Sequence, residues 1–238
     1  MDKMKFGPYN WLVLERKGNT ALLITEGIIE RWPYHTAAQG VTWEGSAVRA
    51  YLNGKFLEQF ESADQAKIIE VTSQNPDNPW YKTRASVISA KAGKTGVTAR
   101  DPKGGNPTKD KVFLLSIDEV CRYFGNSTAR LKNKGFEYQN GKMIMGKGTS
   151  LGDTTRISDQ NDKNRIAIMP AALSTFREKK DMAFRWWLRS PGEADILAAE
   201  VSAQGHVKIT GSQIWAMGTS KDDKSEMGGL RPALWINT

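Results

Sequence analysis

A chain of 238 residues, 39% hydrophobic and 25% charged, has room for one sizeable core or at most two small domains, and its balance is that of an ordinary soluble globular protein. No apolar run approaches the length of a bilayer span, and the opening MDKMKFGPYNWLVLERKG lacks the apolar region and cleavage site of a secretory signal, so it reads as a strand. A single cysteine, Cys121, excludes an internal disulfide framework and a cysteine-rich zinc site; within IDEVCRYF it reads as a buried structural thiol.

The formal charge of +8 is concentrated in one stretch. Lys82, Arg84, Lys91, Lys94, Arg100, Lys103, Lys109 and Lys111 face only Asp101 and Asp110 in sequence, within a segment rich in Gly, Ser, Thr and Pro. The favoured reading is a long solvated loop whose lysines keep it soluble; the second is a surface that meets nucleic acid or another polyanion.

In chain order, Tyr9–Glu15 and Ala21–Thr25 flank the turn Lys17-Gly18-Asn19 and predict a first hairpin. Trp32-Pro33-Tyr34 breaks the apolar run that follows. Val48, Tyr51, Leu52, Phe56 and Phe60 share one helical face, with Asn53-Gly54 as a break inside it. Ser62 and Gln65 have the spacing of a capping box, and Ile68–Val71 reads as a strand ended by the Asn-Pro-Asp-Asn-Pro turn. Lys111–Leu115 reads as a short buried strand. Ser116 and Glu119 form a second capping box, opening a helix with Val120, Cys121, Tyr123 and Phe124 on or near its apolar side. Residues 125–164 are polar and weakly periodic and give no assignment; Arg165–Met169 reads as a strand. Short strands, two or three helices and long loops together predict an α+β protein, with residues 1–238 as a single domain.

The segment from Phe184 to Thr238 carries the functional expectation. Trp186-Trp187 and Leu234-Trp235-Ile236 belong to a core, and Ala199 and Val201 alternate with Glu200 and Ser202. Gln204-Gly205 predicts a hairpin turn, beyond which Val207 and Ile209 continue the buried side. Glu200, Ser202, His206, Lys208 and Thr210 then share a solvated face. Arg189 and Arg231, beside Ser190-Pro191 and Pro232, read as structural.

The strings FGPYNWLVL, ALLITEGIIERWPYH, VTWEGSAVRAYLNGKFLEQF, DKVFLLSIDEVCRYF, WWLRSPG and GGLRPALWI, in this order, resemble the bacterial and phage domain DUF6273 from Phe6 to Ile236. The departures are an insertion at about 82–103 and the stretch Trp215–Met227. The resemblance implies a C-type-lectin-like fold related to the formylglycine-generating enzymes, short antiparallel strands with two or three helices and long loops. It also implies kinship with the variable proteins of diversity-generating retroelements, in which the segment between W-W-L-R-S-P-G and G-x-R-P-A-L is the part that varies. Carried onto this chain, the ligand-facing positions are Glu193, Asp195, Ile196, Leu197, Glu200, Ser202, His206, Lys208, Thr210, Ser212, Gln213 and Trp215. Trp215, Ile196 and Leu197 are the expected apolar anchors, although Ile196 and Leu197 read equally as core.

These readings predict recognition without chemistry. The paired copper-binding cysteines of the related enzymes have no counterpart, His35 and His206 lack ligand spacing, and no nucleophile elbow, P-loop or dinucleotide fingerprint occurs. Gln74-Asn75-Pro76-Asp77 reads as a turn and no cofactor or metal is expected. The expected partner is a protein or glycan on a cell or virion surface. The alternative is a basic intracellular protein that binds nucleic acid through residues 82–111.

Overall fold

The computed structural model describes residues 1–81, 102–131, 155–174, 180–215 and 227–238, together with the backbone of a hairpin at 136–139 and 142–145. The expected hairpin forms. β2 (Tyr9–Lys17) pairs with β3 (Thr20–Thr25), burying Trp11 and Val13 on alternate positions. β1 (Lys3–Phe6) adds to its open side, and β17 (Ala233–Asn237) and β5 (Ile68–Ile69) complete an antiparallel sheet in the order β1-β2-β3-β17-β5.

A second sheet has the order β10-β15-β14-β13-β16-β4, from β10 (Arg156–Ile157), β15 (Val207–Gln213), β14 (Leu197–Val201), β13 (Trp186–Pro191), β16 (Gly228–Leu230) and β4 (Glu30–Trp32). Only the β13–β16 pair is parallel. One apolar core joins the two sheets and includes Trp11, Leu23, Trp43, Trp186, Val201 and Leu234. Two-stranded pairs complete the described strands: β6 (Val71–Ser73) with β7 (Thr108–Asp110), β8 (Phe136–Gln139) with β9 (Lys142–Met145), and β11 (Ala167–Met169) with β12 (Met182–Phe184). The result is a mixed α+β protein of short, mostly antiparallel strands and few helices.

Several local expectations change in detail. α1 (Ala47–Leu52) ends at Asn53, whose side chain leaves the helix pattern to clamp the neighbouring segment. Asn53 Oδ1 accepts from the Lys111 and Val112 amides at 2.8 and 3.1 Å, and its Nδ2 donates to Val112 O at 2.8 Å. Even so, Val48, Leu52, Phe56 and Phe60 are all buried, because a 3-10 turn at Leu57–Gln59 continues the apolar stripe. Glu61, not Ser62, is the N-cap of α2 (Ser62–Gln65), and Gln65 Nε2 instead binds Phe60 O. The expected strand at Ile68–Val71 is divided between sheets, since β5 joins β17 while Val71 begins β6. Lys111–Leu115 is buried over Val112–Leu115, but only Phe113 makes a bridge, to Ala233.

The capping box at α3 (Ile117–Tyr123) forms as expected. Ser116 Oγ accepts from the Glu119 amide at 3.2 Å, and the Glu119 carboxylate accepts from the Ser116 amide at 2.7 Å. Glu119 also holds Arg189, which is buried and donates to Leu114 O, so the cap fastens α3 to β13. Cys121 is fully buried, and burial raises its thiol to about 12, which leaves it uncharged at neutral pH. Among the described residues no helix is long and apolar enough to cross a membrane.

Candidate ligand-binding face

Two rows of side chains cross the second sheet, one on each face. On the inner face Ile157, Val207, Val201 and Trp186 pair strand by strand, and each is 0% exposed. One residue along each strand, the outer row is Arg156, Lys208, Glu200 and Trp187. Period-2 alternation accounts for this division, because a one-residue step along a strand moves the side chain to the opposite face.

Glu200 is the centre of the outer row and departs from the expected solvated face. It is only 4% exposed, because cations and a hydroxyl from neighbouring strands cover it. Arg185 Nη1 lies 2.5 Å from its Oε2, Ser212 Oγ donates to its Oε1 at 3.0 Å, and Lys208 Nζ stands 3.5 Å from Oε1. Lys208 also donates to Ser212 Oγ at 2.9 Å. These charge-assisted contacts offset the desolvation of a buried carboxylate.

Ser212 reaches Glu200 because β15 bulges. Lys208 pairs with Glu200 and Ser212 with Ala198, so four steps on β15 match two on β14. The bulge is held from below by Asn78, which is 1% exposed. Its Nδ2 donates to Pro191 O, Gly192 O and Ile209 O at 2.9, 2.9 and 3.0 Å, while its Oδ1 accepts from the Trp80 amide. β13 bulges opposite the same part of β14, between Trp187 and Pro191, and Arg189 there turns into the core.

Trp187 closes the row. Its indole crosses above β16 to donate to Trp32 O at 2.8 Å, the Tyr34 ring meets it edge-on at 5.9 Å, and Arg185 lies 4.7 Å from its ring centre. A Cβ at Gly228 would stand 2.4 Å from this indole, so the crossing requires glycine at that position. Gly228→Ala is therefore expected to lower stability by about 1–3 kcal/mol through overpacking, measured by urea denaturation. Beyond Trp187, Trp32 stacks on Tyr51 at 4.6 Å, and Glu30 accepts from Trp32 Nε1 at 2.7 Å and from the Tyr51 hydroxyl at 2.6 Å. Burial and then the Glu30 contact raise the Tyr51 phenol, keeping it a donor.

The twelve expected positions do not form one patch. Glu200, Lys208 and Ser212 are in contact, and Leu197 and Gln213 pair across β14 and β15. Ser202 and His206 lie at the far hairpin end, where Ser202 Oγ accepts from the His206 amide at 3.3 Å and His206 Nε2 is 3.4 Å from Asp162. Thr210 belongs to the bulge, where its carbonyl accepts from the Glu193 amide. Asp195 packs against Gly40, and its carbonyl accepts from the Val41 amide.

Two expected anchors are corrected. Ile196 and Trp215 are each 6% exposed and belong to the core, while Leu197 is half-buried. The chain turns inward after Gln213, as Ile214 N donates to Ile196 O and Ile214 O accepts from the His35 amide. Sequence reasoning missed Arg156, Arg185 and Asn78. Arg185 had a legible signal, since it lies two residues before Trp187 and so shares its face; Arg156 fell in the unassigned region.

Of the basic stretch, Lys82, Arg84, Lys91, Lys94 and Arg100 lie outside the described residues. Lys103 pairs with Asp77 at 2.9 Å, and Asp77 also accepts from the Gly104 amide, which ties the Gln74–Asp77 turn to that segment. The Lys109 carbonyl accepts from Arg49, and the Lys111 amide is held by Asn53.

No curated protein and no solved structure is significantly similar to this chain. The domain of unknown function DUF6273 matches residues 18–238, a span that takes in all four strands of the charged row, and the chain belongs to that family.

Proposed function

We propose that this is a non-catalytic recognition protein with a C-type-lectin-like fold, of the receptor-binding or adhesin-like kind carried by bacteria and phages. Its ligand, a protein or glycan on a cell or virion surface, is engaged by the C-terminal strand surface, chiefly at the solvent-reaching positions of β15. The observation that carries this reading is that a fully buried apolar row lies one residue from an outer row in which Arg156 and Lys208 reach solvent, while Glu200 and Trp187 complete it as buried residues. Outer side chains such as Lys208, Thr210, Ser212 and Gln213 can change without disturbing the inner row, which suits a surface whose specificity varies while its backbone is kept. The variable proteins of diversity-generating retroelements are the proposed relatives.

The test is binding of fluorescent protein to a panel of intact bacterial cells. Gln213→Ala is expected to weaken binding at an unchanged melting temperature, and Lys208→Ala to weaken binding with some loss of stability, since Lys208 also covers the buried Glu200. Binding that survives both, or that is confined to nucleic acid and falls steeply with salt, sinks the reading in favour of residues 82–111 as the contact. Flanking DNA is expected to hold a near-copy of the Trp186–Trp235 coding segment, differing mainly at adenines, beside a reverse-transcriptase gene.

A further inference from the structure

We propose that the group recognised at the Arg156–Lys208 end of this face is an oxyanion: a carboxylate, sulfate or phosphate of the ligand. The inference rests on the reading of this face as ligand-binding and adds the chemistry of what binds there.

Arg156 and Lys208 are direct cross-strand partners on β10 and β15 and share the outer face. Side chains so placed start about 5 Å apart, and like charges directly opposite one another destabilise a sheet. Among the described residues Arg156 has no counter-ion, and Lys208 has only Glu200, at 3.5 Å. Arg156 is exposed and makes no hydrogen bond or ion pair there, and Lys208 has a side chain 40% exposed. Glu200 is the one carboxylate in the row, and it is already in contact with Arg185 at 2.5 Å and Ser212 at 3.0 Å. The acids that follow Arg156 in sequence, Asp159 and Asp162, are turned toward the buried Arg165 at 3.0 and 2.5 Å. Lys208 therefore shares its carboxylate with Arg185, and Arg156 has none among the described residues.

An oxyanion between Arg156 and Lys208 converts that repulsion into charge-assisted hydrogen bonds. The guanidinium fork offers two parallel N–H groups, and the ammonium has donors left beyond the one it gives Ser212. The neighbouring Ser212 hydroxyl is committed to Glu200 and Lys208, which keeps the ammonium in place with no ligand bound. A neutral ligand would leave Arg156 without a counter-ion and Lys208 with only its share of Glu200.

The experiment is an amide NMR titration of the full chain with sodium sulfate, inorganic phosphate and sodium acetate, at ionic strength held constant with sodium chloride. Saturable shifts at Arg156, Lys208 and their strand neighbours are expected with at least one of the three, and which one identifies the oxyanion. Arg156→Gln and Lys208→Gln are each expected to weaken that binding about tenfold, whereas Lys103→Gln, on the far Asp77 pair, leaves it unchanged. In the absence of anion, Arg156→Gln is expected to melt no lower than the parent chain, because it removes a repulsion. Absence of saturable shifts, or equal binding by the parent and both variants, overturns the proposal. Cell binding that maps to Gln213 but ignores Arg156→Gln overturns the oxyanion alone; cell binding that ignores the whole face overturns the underlying reading.

Discussion

Arg231→Ala is expected to destroy the fold, or to cost about 3–5 kcal/mol if some native protein survives. Arg231 lies between β16 and β17, where the chain passes from one sheet to the other, and it is 1% exposed. Its Nε donates to Thr25 O at 3.0 Å, Nη2 to Glu26 O at 3.2 Å and Nη1 to Arg165 O at 3.4 Å. Its guanidinium also lies 5.3 and 5.0 Å from the Phe124 and Trp186 ring centres. Burial pulls the guanidinium down to about 9, against the attraction of Glu26. Alanine would take a donor from the Thr25, Glu26 and Arg165 carbonyls, of which Arg165 O keeps Trp186 Nε1 at 3.1 Å, and would open a cavity between two aromatic rings. Lysine supplies charge but no planar fork, so Arg231→Lys is expected to rescue little. Thermal unfolding followed by circular dichroism decides the matter: an alanine variant as stable as the parent would show that Arg231 is not the clamp between the sheets.

The second large effect is expected at Arg165, which is 0% exposed. Its Nε donates to Gly205 O at 2.8 Å, Nη1 to Ser127 Oγ at 3.0 Å, and Nη2 contacts Asp159 and Asp162. It belongs to α4 (Asp162–Arg165) and thereby fastens that turn to the hairpin between β14 and β15. Gly205 permits the close approach: its φ is +84°, and a Cβ there would stand 1.9 Å from Asp162 O. Arg165→Met keeps much of the volume but leaves two carboxylates without their cation, at an expected cost of about 3–5 kcal/mol at neutral pH.

The pH dependence of that cost separates the ion cluster from simple packing. Burial alone would raise Asp159, but hydrogen bonds from Ser127 and the Asn161 amide, together with Arg165, outweigh it and hold the carboxyl below its ordinary value. Its folded pKa is thus depressed below the unfolded value of about 3.9. The stabilisation is fully present above that value and is lost as pH falls through the folded pKa. Urea denaturation of Arg165→Met is therefore expected to show a smaller deficit below about pH 4 than at pH 7. An equal deficit at both would assign the loss to packing.

Much of the local design was legible before any fold was known. Alternation placed Ala199, Val201, Val207 and Ile209 inside, and all four are buried. The Ser116–Glu119 box, the first hairpin and the buried tryptophan pair follow from local hydrogen bonding and apolar spacing, which need no distant partner. Arg189 and Arg231 were read as structural, and the structure buries both among backbone carbonyls. Less of the candidate site was legible. Alternation gives the face of a side chain but not its neighbours on that face, so Glu200 read as solvated until Arg185 and Ser212 were brought against it.

The sequence by itself therefore determined much of the apolar core, the start of α3 and of the first hairpin, and the alternation of polar and apolar positions along β15. Those properties depend on periods of two and 3.6 residues and on contacts within a few positions. Only the tertiary structure decided that Arg156 lies beside Lys208, that Asn78 supports the β15 bulge, and that Trp187 crosses Gly228 to reach Trp32. Strand order and bulge register are set by chain segments far apart in sequence, and the burial of Ile196 and Trp215 follows from where those segments meet.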